Sequence, residues 1–212
     1  MYNHKMLPRY HIDLMHLALD DHFSPGALER VIAANLNQDS LPGQLGHDEY
    51  HFDNNAFEKS YAYIEEQRML AVASLITNDA PAARSAFGRL THTAQDFYAH
   101  SNYVDLWLAL QPEGAQPSPA DVDPLHPDLI HAPALRSGKV YALELLTYIP
   151  GLKSLAMSLL PRDSHGWMNV DSPERGPNFP YAFRAALKRT RIEFERTTEN
   201  LPENLVGLFV GK

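Results

Sequence analysis

Residues 88–107, GRLTHTAQDFYAHSNYVDLW, set the terms for the rest of the chain. His92, Asp96 and His100 follow one another at intervals of four residues. On an α-helix that spacing stacks three side chains along one face, one turn apart. Leu90, Ala94, Phe97, Ala99, Val104, Leu106 and Leu108 supply apolar positions, and Asn78-Asp79-Ala80-Pro81 supplies a break and a cap. One long helix over about 80–110 is therefore expected. Imidazole and carboxylate both ligate metals, and a donor at every turn lets one rigid element offer several ligands. An ordinary polar face is the plain alternative. The residues between the three are mostly apolar or small, which argues against a solvated charge stripe. The chain also holds eleven His and no Cys, so a metal site here is built from nitrogen and oxygen donors.

The remaining chain reads as further helices joined by long loops. Residues 11–21 form a short apolar helix after an irregular start over 1–10. Ser24-Pro25 opens a second helix that ends near Asp39. The loop 40–55 carries His47, Asp48, His51 and Asp53, with Asn54 or Asn55 as cap for a helix over 56–77. Residues 111–138 contain six prolines and form a long excursion, a lid or an insertion. Residues 140–149 fit a buried helix better than a strand, and 152–160 fit a helix ending at Pro161. A Gly/Pro-rich loop over 161–178 precedes a last amphipathic helix over 180–199, and the tail LVGLFVGK is apolar enough to pack on the body. The expected fold is a single all-α domain over residues 1–212, with six or seven helices. Tyr98, Tyr103 and Trp107 are expected in its core.

Composition limits the partners. The net charge is −8, from 26 acidic and 18 basic residues, and no strong basic patch stands out. Duplex nucleic acid is therefore not an expected partner. Residues 1–19 contain no uninterrupted apolar run and no stretch approaches 18 apolar residues, so neither a signal peptide nor a membrane span is expected. On this evidence the chain is expected to be soluble and cytoplasmic, with a non-classical export route as the alternative.

Three further donors occupy helix ends, where side chains converge on a bundle interior: His11, Asp39 and His51. Together with the central helix they form a pattern that resembles the zinc-dependent phospholipase C and single-strand nuclease superfamily, in particular its Het-C-like branch. The matching phrases are NLNQD at 35–39, HFDN at 51–54, LTHTAQDFYAHSNYVDL at 90–106 and HGWMNVDSP at 165–173. The resemblance implies a multi-helix bundle of the phospholipase C type holding two or three zinc ions. It places Asp39, His51, His92 and Asp96 around one ion, and His11 with a bridging Asp96 at a second. His100 matches the first ligand of a third. The chain departs from the family in two places. It lacks the N-terminal Trp whose amine completes the second site, and helix YAFRAALKRT lacks the His-x-x-x-Glu of the third, so His165 and Asp171 are the substitutes.

The activity implied by this resemblance is phosphodiester hydrolysis by metal-activated water, with Asp39 as its catalytic carboxylate. The expected substrate is a phospholipid, with peripheral membrane contact. A single-strand nuclease is one alternative. A Het-C-like binding or toxin module with a structural metal is the other, favoured by the missing His-x-x-x-Glu.

Overall fold

The computed structural model describes residues 8–44, 46–149 and 151–212. Among these residues the regular structure is helical, with two isolated bridges, Ser101–Ser137 and Lys139–Ser164, and no strand. The chain runs through α1 (Pro8–Leu19), α2 (Pro25–Asn37), α3 (Leu41–Gln44), α4 (Asp48–His51), α5 (Phe57–Ile76), α6 (Ala80–His100) and α7 (Tyr103–Ala109). It continues through α8 (Lys153–Leu159), α9 (His165–Met168), α10 (Phe179–Thr198) and α11 (Glu203–Val210). The all-α expectation holds. Among the described residues the helix number exceeds six or seven because both polar loops wind into single turns, α3, α4 and α9, the expected 80–110 helix is divided into α6 and α7, and the tail forms α11. The expected irregular start over 1–10 lies mostly outside the described residues, and α1 already begins at Pro8.

α6 is the axis of the fold. Asp79 caps it, its Oδ1 accepting from the Ala82 amide at 3.0 Å, and every residue from Leu90 to His100 is buried. α2, α5 and α10 pack around it. Helices approach that closely only where a side chain is small. A Cβ built on Gly88 would lie 2.3 Å from the Val31 carbonyl oxygen and 2.8 Å from Ala34 Cβ on α2. Gly88→Ala must therefore push two backbones apart, and it is expected to cost about 3 kcal/mol despite Ala's better helix propensity. A urea titration showing the variant as stable as the parent would contradict this packing.

The expected single helix over 80–110 is two helices. Ser101 is extended (φ −113°, ψ 166°) and bridges to Ser137, so α6 stops at His100 and α7 restarts after Asn102. Residues 140–149 are also not an α-helix: Ala142–Tyr148 winds as a 3-10 helix.

The Pro-rich excursion 111–138 is tied down by hydroxyls rather than by periodicity. Tyr98 donates to the Pro124 carbonyl at 2.5 Å, Tyr103 to Asp123 at 2.6 Å, Tyr181 to Pro117 at 2.7 Å and Tyr61 to Ile130 at 2.8 Å. Each ring is buried or half-buried while its hydroxyl satisfies a loop carbonyl that has no helical partner. At the C-terminus α11 buries Phe209 and Val210 on the body, as the apolar tail suggests. Among the described residues no helix is long and apolar enough to cross a membrane.

Candidate metal centre

One face of α6 carries His92, Asp96 and His100, and four other elements bring donors to it. His11 comes from α1, Asp39 from just beyond α2, His51 from the end of α4, and His165 from the first residue of α9. Asp53 and Asp171 come from the segments after α4 and α9. Asp39 and Asp53 are partly buried and the other donors are buried.

The donors fall into two groups. In the first, Asp96 presents one oxygen to each side. Its Oδ2 lies 2.9 Å from His51 Nδ1 and 3.1 Å from His92 Nε2, while its Oδ1 lies 3.4 Å from His11 Nε2. Asp39 repeats the arrangement, with Oδ1 at 3.8 Å from His92 Nε2 and Oδ2 at 4.0 Å from His11 Nε2. Two carboxylates thus straddle two positions, one flanked by His51 and His92, the other by His11.

The rings are held in orientation from behind. His11 Nδ1 is 2.7 Å from Gln95 Oε1, and that amide is fixed in turn because its Nε2 donates to Thr190 at 3.0 Å and its oxygen accepts from Asn35 at 3.2 Å. The His11 proton therefore sits on Nδ1 and the lone pair of Nε2 faces Asp39 and Asp96. His100 is set the same way, its Nδ1 donating to the His51 carbonyl at 2.9 Å.

The second group gathers at Nε2 of His100. Asp171 Oδ1 lies 3.5 Å from it and His165 Nε2 also 3.5 Å; Asp53 Oδ1 is 4.0 Å from that His165 nitrogen and 3.5 Å from His100 Nδ1. Glu144 stands behind, with Oε2 3.5 Å from His165 Nδ1.

The electrostatics suit cation binding. Burial, and then the neighbouring His92, push the His11 imidazole down to about 4, so it is neutral at physiological pH, the form that ligates. Burial opposes ionisation of Asp96, but His92 and His100 hold its carboxyl well below the usual range. Burial likewise opposes a charge on His100, yet Asp96, Asp171 and Asp53 hold it well above the usual histidine value.

Among the described residues, buried polar atoms without a hydrogen bond mark the same places: His11 Nε2, Asp96 Oδ1, Asp53 Oδ1 and both carboxylate oxygens of Asp171. Such atoms are costly unless something else satisfies them. Tetrahedral zinc with ligands at about 2.0–2.2 Å sets its donors roughly 3.3–3.6 Å apart. The closer separations in both groups fall near that range, so the residues fit the metal.

All eight donors expected from the sequence thus lie in this polar core. Asp53, to which the sequence assigns no donor role, faces the second group. Asn54 and Asn55 do not cap α5, whose N-cap position is Ala56. They have left-handed φ values of 53° and 57° and reach across the fold. Asn54 Oδ1 accepts from the Val140 amide at 2.9 Å, and Asn55 Oδ1 from the Ser137 amide at 2.8 Å. Phe52, with φ 57°, is fully buried in the same left-handed region, which turns the chain so that His51 and Asp53 face different groups. Glu144 is the other residue the sequence did not single out; its apolar surroundings hid it. Outside the core, His16 pairs with Asp20 at 2.8 Å and His47 with Glu49 at 3.0 Å.

A family model described as VWA7 N-terminal domain matches residues 18–113, just under half of the chain. Von Willebrand factor A domain-containing protein 7 of Homo sapiens is 34% identical over 92 residues, covering 40% of this chain and 10% of that protein. The Mus musculus protein of the same name is 30% identical over 118 residues, covering 49% and 13%. The chain thus spans only about a tenth of the length of these relatives. No solved structure matches. These findings overturn the resemblance to the phospholipase C and single-strand nuclease superfamily and to its Het-C-like branch. The hydrolase assignment falls with it, together with its phospholipase, nuclease and Het-C variants and the catalytic task given to Asp39. His and Asp at these spacings are compatible with cation binding, and cation binding does not specify a reaction. The chain is similar to the N-terminal domain of VWA7 over residues 18–113, a stretch that includes Asp39, His51, Asp53, His92, Asp96 and His100.

Proposed function

We propose that the chain is a zinc-binding helical module in which buried ions fasten the helices to one another. The observation that supports it most is the double-sided presentation of Asp96 and Asp39, each with one oxygen toward His92 and the other toward His11. A carboxylate buried among three imidazoles is poorly compensated without cations and well compensated with them. Nitrogen and oxygen donors at these separations suit zinc. One ion is held by His51, His92, Asp39 and Asp96, and the other by His11, Asp39 and Asp96. The ligands join α1, α2, α4 and α6, so binding free energy becomes folding free energy. In a long protein such as the relatives, a unit of this kind is a rigid block.

Metal per chain, measured by elemental analysis after mild purification, tests this. At least two zinc ions are expected in the parent and most of that zinc should be missing from His92→Ala. A parent that contains no divalent metal, and whose melting is indifferent to chelator, would end the proposal.

A further inference from the structure

We infer that Asp53, His100, His165 and Asp171 form a divalent-cation site of their own, and that this site latches residues 139–171 onto the helical body. The inference rests on the reading that the polar core binds zinc, and goes beyond it by giving one ion a separate place and task.

The four donors are divided between two parts of the chain. Asp53 and His100 belong to the body, one just after α4 and the other at the end of α6. His165 and Asp171 belong to the segment. A cation between them is a cross-link, and removing it leaves the segment with few other attachments. Its base is held by backbone and asparagine contacts, Asn54 to Gly138 and Val140, and its far end by the Val170 amide on the Ala99 carbonyl at 2.8 Å.

Between those points the segment packs mainly on itself. α8 lies against the 3-10 helix 142–148, and the Trp167 indole donates to the Met157 carbonyl at 3.1 Å. Leu146, Ile149, Leu152, Leu155 and Leu159 are exposed, while Ala156 and Leu160 are buried. Among the described residues, therefore, little apolar burial holds this part of the chain to the body, and its docking depends on polar groups.

Those polar groups are poorly served without an ion. Both oxygens of Asp171 and Oδ1 of Asp53 are buried and make no hydrogen bond among the described residues. Two imidazole Nε2 atoms, of His100 and His165, face each other at 3.5 Å. That pairing offers at best one long, weak hydrogen bond, yet it is close to a zinc coordination edge. Glu144, from within the segment, lies behind His165 Nδ1 and turns Nε2 toward the site, as an outer carboxylate does for a ligating histidine. Gly138 lets the strands of chain meet. A Cβ there would lie 2.4 Å from His165 Cα, so the ring is seated only because residue 138 has no side chain.

The test is limited proteolysis of the whole chain with mass spectrometric mapping, alongside zinc content by elemental analysis. With zinc bound, residues 140–163 should resist cleavage. After chelation the first cuts should fall there, with an increase on the order of tenfold in rate. His165→Ala and the milder Asp171→Asn should show these cuts in the presence of zinc and hold one zinc fewer per chain. His11→Ala, which touches only the other group, should also lose zinc but keep the segment protected. If both segment variants retain the parent's zinc content, or if chelation leaves cleavage of 140–163 unchanged, the latch is wrong while the paired site on Asp96 still stands. A parent without zinc would overturn both readings together.

Discussion

Asp96→Asn is expected to remove both zinc ions of the paired group, where His11→Ala removes only one. The asymmetry follows from which atoms each residue offers. His11 contributes a single nitrogen to one position. Asp96 contributes Oδ2 to the position between His51 and His92 and Oδ1 to the position beside His11. Asparagine keeps the shape but loses the charge, and presents an NH2 group to one of the two positions. It therefore repels a cation at one place and binds it weakly at the other. Ligands that bind only the folded state at a thousand times their dissociation constant add about 4 kcal/mol. For a chain of this size that corresponds to a melting shift of roughly 8–16 °C. The parent should lose at least that much on chelation, and Asp96→Asn should lose less, having only the ion of the His100 group to give up. His11→Ala should fall between. Calorimetric melting with and without chelator, paired with elemental analysis, measures all three. Equal zinc contents in Asp96→Asn and His11→Ala would show that Asp96 does not bridge.

Much of this arrangement is legible in the sequence, for reasons that are local. α1, α2, α5, α6 and α10 follow apolar periodicity and turn chemistry, and both act over a few residues. His92, Asp96 and His100 declare a common face because one helix carries them. The break at Ser101 is not legible, since apolar residues continue through Val104 and Leu106. It is imposed by Ser137, far along the chain. HFDN is misread for a related reason. Capping by Asn54 or Asn55 is the local solution, whereas the fold places both in the left-handed region and uses them to grip residues 137–140. With the asparagines misassigned, Asp53 also loses its role as a donor. The reaction was read from a pattern of donors, and that step failed. A set of His and Asp residues is consistent with many metal proteins, and the similarity to the VWA7 N-terminal domain over 18–113 points away from the hydrolases.

Glu193→Gln is expected to destabilise the protein by about 3–5 kcal/mol at neutral pH, although it lies away from the donors and changes almost no volume. Glu193 is fully buried on α10 and is the common partner of three arginines. Arg68 Nη2 from α5 lies at 2.6 Å, Arg189 Nε at 2.5 Å and Arg196 Nη1 at 3.3 Å. Arg189 is itself buried, and neither it nor Arg68 can shed its proton, so a neutral amide leaves Arg189 buried without a carboxylate and Arg68 with only the more exposed Glu65. The pH dependence has a definite sign. Burial opposes the charge on Glu193, but Arg189 and then Arg68 outweigh it and hold the carboxyl below its ordinary value of 4.5. A depressed carboxyl contributes stability above its unfolded value and loses it as pH falls through the folded one. The parent should therefore weaken in acid below about pH 4.5, and Glu193→Gln should weaken less over the same range. The gap between them should narrow on acidification, because the parent then buries a neutral acid where the variant buries a neutral amide. Urea unfolding of chelated samples at neutral and acidic pH isolates this contribution from the metal. A gap that stays constant with pH would mean that the loss comes from packing rather than charge, and that the arginines find other partners.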